Sequence, residues 1–135
     1  MSLRKAALML MIFAQPAFAQ GDVIRGELAF RRHCHACHTA EQGGANKLGP
    51  NLFGIVGKRA GQVPEARYSP LLIEARKGGL IWDERSLMVF MADPNLFLAV
   101  FARRSDLRSS KSYKVVKEED RYNITAYLST LRPAP

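Results

Sequence analysis

The chain has 135 residues, with 20 lysines and arginines against 12 aspartates and glutamates, a formal charge of +8 and 47% apolar residues. That length bounds the fold to one small domain. Two cysteines and three histidines, all within residues 33–38, exclude a disulfide framework and leave a zinc ion without four separated ligands.

Residues 1–19 read as a secretory signal. Arg4 and Lys5 supply the charged start, Ala6 to Phe13 is an apolar run too short to span a bilayer, and Ala17-Phe18-Ala19 is a small-x-small cleavage site. An uncleaved anchor is the alternative, and the short run argues against it. The mature domain is then 20–135, 116 residues with a charge of +6, exported and without stable membrane insertion. A basic excess usually means an acidic partner, whether protein, lipid or nucleic acid. No nucleic-acid motif accompanies it.

Asp22 is a fair N-cap for a first helix, in which Val23, Glu27 and Phe30 share a side with Ile24 and Leu28 beside them. That helix runs into Cys34-His35-Ala36-Cys37-His38, two thiols three residues apart followed by an imidazole. The pattern is the attachment signature of a c-type haem: each thiol adds to one vinyl group, and His38 serves as proximal iron ligand. A thioredoxin-like dithiol would need a βαβ surround that is missing. A disulfide across two intervening residues would be strained. One haem c, bound through Cys34 and Cys37, would also supply much of the core that so short a chain lacks. Haem attached this way is expected outside a bacterial inner membrane, so the predicted location is the periplasm.

Residues 40–67 carry six glycines with Pro50 and Pro64 and read as loop. So long a loop suits a compact fold only if it wraps a flat cofactor. Ser69-Pro70 starts a helix that Gly78-Gly79 stops. Asp83 caps another, with Leu87, Phe90 and Met91 on one face. Asp93-Pro94 ends it and starts a short helical turn through Phe97. Residues 102–112 are polar, basic and irregular. The last helix begins near Lys117, where Glu118, Glu119 and Asp120 suit its positive end, and Ile124, Tyr127, Leu128 and Leu131 form its stripe. The predicted class is all-α, about four to five helices around one cofactor.

These residues together resemble the class I cytochromes c, the electron carriers of mitochondria and photosynthetic bacteria. The likeness spans Gly21 to Leu131 and rests on Gly26 and Phe30, Thr39, Leu48-Gly49-Pro50-Asn51-Leu52, Gly54, Gly57, Lys58, Gly61, Tyr68-Ser69, Trp82, Arg121 and Ala126-Tyr127-Leu128. It implies that Gly26 and Phe30 pack where the first and last helices cross, against Ile124 and Tyr127. It implies that the Pro50 carbonyl accepts from the free N–H of His38, fixing the ring and making it more electron-rich. Tyr68 and Trp82 would donate to a haem propionate, and Lys58 would help neutralise it.

The family binds the far side of iron with a methionine from the loop before the last helix. Here no methionine follows Met91. Counting back from Ala126-Tyr127-Leu128, and forward from Asp93-Pro94, the ligand position falls on Lys111. Met88, Met91, His33 or an open site are the alternatives. A lysine ligand must be neutral, and neutralising a solvated amine at pH 7 costs about 4.6 kcal/mol. An iron–amine bond in a dry pocket can exceed that. The amine is a harder donor than a thioether, so it favours ferric iron and lowers the potential by about 59 mV per tenfold bias. Phe90 stands where many relatives carry a tyrosine.

The expected function is one-electron transfer by a monomer that is not an enzyme. Arg31, Arg32, Lys47, Lys77, Lys111 and Lys114 would steer it to acidic docking sites on larger redox proteins or membrane complexes, so transfer weakens with salt. His33 sits where relatives often carry a docking lysine. The rival reading is a gas- or peroxide-binding or sensing protein with an open or labile sixth site.

Overall fold

The computed structural model describes residues 21–135, so the expected secretory segment 1–19 lies outside the described residues. Five helices follow one another: α1 (Val23–His33), α2 (Pro70–Lys77), α3 (Glu84–Ala92), α4 (Pro94–Ala102) and α5 (Glu118–Thr130). Among the described residues there is no strand, only an isolated antiparallel bridge between Arg59 and Ile81. The all-α expectation holds.

The caps explain where the helices begin. The Asp22 side chain accepts from Arg25 N–H at 2.8 Å and Ser69 Oγ accepts from Leu72 N–H at 3.2 Å. Asp83 and Ser86 bond reciprocally, a capping box that opens α3. Asp93 closes α3 and opens α4, accepting from Leu96 N–H at 3.0 Å. Each such cap is worth about 1 kcal/mol. Where a short turn through Phe97 is expected, α4 continues to Ala102. Its Leu98 is fully buried, and the helix stops only where Arg103 turns left-handed at φ 54°. At the other end of the chain, Leu131 is the C-cap of α5 and still packs, partly buried, against the core.

The α1–α5 crossing organises the molecule, and its contact face differs from the apolar pattern. Ile24 and Leu28 are exposed, whereas Gly26, Ala29 and Phe30 are buried. The reason is steric. A Cβ on Gly26 would overlap the carbonyl of Asn123, so α5 approaches α1 at backbone contact and the face centres on the smallest residue. Phe30 and Tyr127 then meet with ring centroids 5.6 Å apart, and the Asp22 N–H donates to Asn123 Oδ1 at 2.8 Å. Leu71, Leu80, Leu98 and Ile124 are the largest fully buried side chains. Each contributes about 2 kcal/mol on burial.

The long loop is ordered by its own hydrogen bonds. Leu52 N–H donates to the Thr39 carbonyl at 2.8 Å, and the Asn51 amide donates to the carbonyls of Glu41 and Gly44. Further on, Gly57 N–H reaches the Trp82 carbonyl at 2.7 Å and Trp82 N–H reaches the Lys58 carbonyl at 2.9 Å. The loop is thereby laced to the segment between α2 and α3.

Candidate functional site

The two cysteines and His38 follow directly from α1. Cys34 is its C-cap, and the N–H groups of Cys37 and His38 both donate to the Cys34 carbonyl, at 3.0 and 2.9 Å. The motif is therefore a continuation turn. Both thiols are free and half-buried. Burial, with a smaller effect of Cys37, pushes the Cys34 thiol up to about 12. A redox-active dithiol requires the opposite, a thiol made acidic. Among the described residues no group of three or more His, Cys, Asp and Glu side chains converges on a metal position.

His38 is held from two directions. Its Nδ1 lies 2.7 Å from the Pro50 carbonyl, and with the proton there Nε2 keeps its lone pair for a metal. A Cβ on Gly49 would overlap the imidazole, so only glycine lets this loop lie flat against the ring. The Gly49 N–H donates to the Cys37 carbonyl at 2.8 Å, tying the loop back to the motif. Burial lowers the His38 pKa against the opposing effect of the Pro50 bond, and the nearby charges of Lys111 and Lys47 lower it further. Neutral imidazole is the form that binds iron.

The other predicted residues fall into two groups. Lys58 and Trp82 are brought together by backbone pairing. Trp82 is buried and packs edge-on against Phe90 with centroids 4.9 Å apart. Among the described residues nothing accepts from its indole N–H. Tyr68 is half-buried, and its hydroxyl accepts from Val63 N–H at 3.0 Å, leaving its own proton to give. A neutral imidazole with its second nitrogen anchored, two unoxidised thiols beside it and two free aromatic donors fit a covalently held haem. When bound, that group supplies a metal that takes up and releases one electron.

Lys111 is half-buried in the loop between α4 and α5, and its amine donates to the Leu48 carbonyl at 2.9 Å. It thus reaches from the far loop to the loop that carries Gly49 and Pro50. His33, one of the alternative ligands, is occupied elsewhere: its Nδ1 is 2.8 Å from the Tyr113 hydroxyl and its Nε2 is 2.9 Å from Asp120. Several proposed docking charges are also paired, Arg31 with Glu27, Arg32 with Asp120, Lys77 with Glu74 and Lys114 with Asp93. Sequence reading missed the Gly49 contact, the Leu48 carbonyl and the His33–Tyr113–Asp120 chain. Gly49 had a local signal, a glycine just before the Pro50 that faces His38. The other contacts join residues far apart in the chain, and no local pattern announces them.

Comparison with known proteins identifies the family. A family model described as cytochrome c matches residues 23–132. Cytochrome c2 of Rhodospirillum rubrum is 36% identical over 136 residues, covering 96% of this chain and all of the relative. The structure of cytochrome c2 from Rhodospirillum centenum superposes with a TM-score of 0.79 at 31% identity, covering 84% of this chain and all of that one. A variant of ferric cytochrome c-550 from Paracoccus versutus, with a methionine changed to lysine, superposes with a TM-score of 0.74 at 28% identity, covering 82% and 96%. The chain belongs to the cytochrome c family: it is a class I, cytochrome c2-like electron carrier with a single haem, its two cysteines consistent with covalent attachment.

Proposed function

We propose that this cytochrome is an exported, periplasmic one-electron carrier whose iron is held by His38 and Lys111, with a potential below that of a methionine-ligated relative. The observation that carries the reading is the place of Lys111. Its amine leaves the α4–α5 loop and reaches the Leu48 carbonyl beside Gly49 and Pro50, near enough for its charge to depress the His38 pKa. No methionine follows Met91 to compete from the same loop. The Paracoccus versutus variant supports the reading, since in that protein the same fold accepts lysine in place of a methionine. Export rests on the residue pattern of 1–19 and on the attachment chemistry.

Potentiometry tests the proposal. Replacing a hard amine by a thioether should raise the midpoint potential, so Lys111→Met should lie on the order of 100 mV above wild type, at about 59 mV per tenfold change in ferric preference. Equal potentials in the two proteins would remove Lys111 from the iron.

The Lys111–Leu48 bond also supports a second reading, in which the amine stays on the carbonyl and the iron binds nitric oxide, carbon monoxide or peroxide. Rapid carbon monoxide binding to the reduced wild type would favour it.

A further inference from the structure

Residues 105–114 cross from α4 to α5 with no regular structure. The ends of this loop are tied down. Ser109 N–H donates to Asn95 Oδ1 at 2.9 Å, Lys114 Nζ donates to Asp93 at 2.6 Å, and Val115 N–H donates to the Met91 carbonyl at 2.9 Å. Between these anchors, and among the described residues, residues 110–113 have two side-chain links to the rest of the fold: Lys111 to Leu48, and Tyr113 to His33. Among the described residues no other hydrogen bond joins 105–114 to α1. The His33 ring therefore connects three elements: the end of α1, the first turn of α5 through Asp120, and the loop through Tyr113. Arg32 adds a second link to Asp120 at 3.2 Å.

We propose that His33 is a positioning residue that, through Tyr113, holds the Lys111 loop against the haem-attachment helix. The proposal rests on the reading of Lys111 as iron ligand. An amine committed to iron gives up the Leu48 carbonyl, and Tyr113 is then the remaining side-chain tie of 110–113. The tether keeps both bonds in either protonation state of the imidazole. The neutral ring donates from Nε2 to the Asp120 carboxylate and accepts at Nδ1 from the Tyr113 O–H. The charged ring donates from both nitrogens, and the Tyr113 oxygen accepts.

Amide hydrogen exchange on the haem-loaded mature protein tests this, in wild type, Tyr113→Phe, His33→Ala and the double variant. Tyr113 is 60% exposed, so losing its hydroxyl spares folding. Exchange at 110–113 should rise about fivefold in Tyr113→Phe, equivalent to the roughly 1 kcal/mol of one hydrogen bond. The double variant should exchange no faster than His33→Ala, because the two residues act as one link. Imidazole added to the ferric protein should bind faster by a similar factor in Tyr113→Phe, with the resting spectrum unchanged. Unchanged exchange in Tyr113→Phe, effects that multiply in the double variant, or faster exchange without faster imidazole binding would each overturn the tether. Exchange reads the loop whichever atom binds iron, whereas failure of the Lys111 reading shows separately in the spectrum of Lys111→Ala.

Discussion

The two loops that meet at the Lys111–Leu48 bond form two walls built on different principles. The His38 wall is short-range: His38, Gly49 and Pro50 lie within thirteen residues, the Pro50 carbonyl is 2.7 Å from Nδ1, and the loop backbone rests on the ring. The Lys111 wall is long-range. Its loop hangs on side chains of Asn95, Asp93 and His33 and on the Leu48 carbonyl, several of these contacts at the surface. The first wall is fixed by backbone shape, so little can change without cost. The second is fixed by polar contacts worth about 1 kcal/mol each, so it can open while the rest stays folded. If Lys111 is the sixth ligand, as proposed above, the softer wall is the one that sets the redox properties of this carrier.

The largest break in this contrast should come from Gly49→Ala. The added methyl meets the His38 ring with no room to give, and overpacking of this kind costs about 3 kcal/mol. Urea unfolding of the haem-loaded protein should show that loss. A cost below about 0.5 kcal/mol would mean that the loop can lift off the ring and that this wall is not rigid.

Acid sharpens the same contrast with a smaller effect. The hydrogen bonds from Lys114 and His33 hold the carboxyls of Asp93 and Asp120 below the usual range, and Arg104 holds Asp106 down to about 2. A carboxyl depressed in the folded state contributes stability above its unfolded value of about 4, and that contribution is lost as pH falls through the folded value. These three residues anchor the soft wall or its flanks. Between about pH 4 and pH 2, exchange at 105–114 should therefore accelerate before exchange across the α1–α5 crossing does. Simultaneous opening of the two regions would contradict the contrast.

The same division decides what could be read from the sequence. The attachment turn, the caps at Asp22, Ser69, Asp83 and Asp93, and the all-α class were legible because each depends on neighbours a few residues away. At the α1 contact face the resemblance pointed correctly to Gly26 and Phe30, whereas apolar spacing alone also drew in Ile24 and Leu28, which are exposed because burial follows Gly26, whose lack of a side chain lets Asn123 approach. The end of α4 was misread because the helix is held by burial of its own Leu98 rather than by a stop signal. Lys111 was proposed only by counting from two anchors, a route that gives a position but not its contacts. His33 looked like a docking charge, and its pairing with Tyr113 and Asp120 depends on segments about eighty residues apart.

Ferric electron paramagnetic resonance of the haem-loaded wild type and of Lys111→Ala tests the central claim most directly. The account predicts a low-spin wild type that becomes high-spin, or exchanges to a new ligand with different g-values, when the amine is removed. An identical low-spin signal in both proteins would show that some other atom completes the iron.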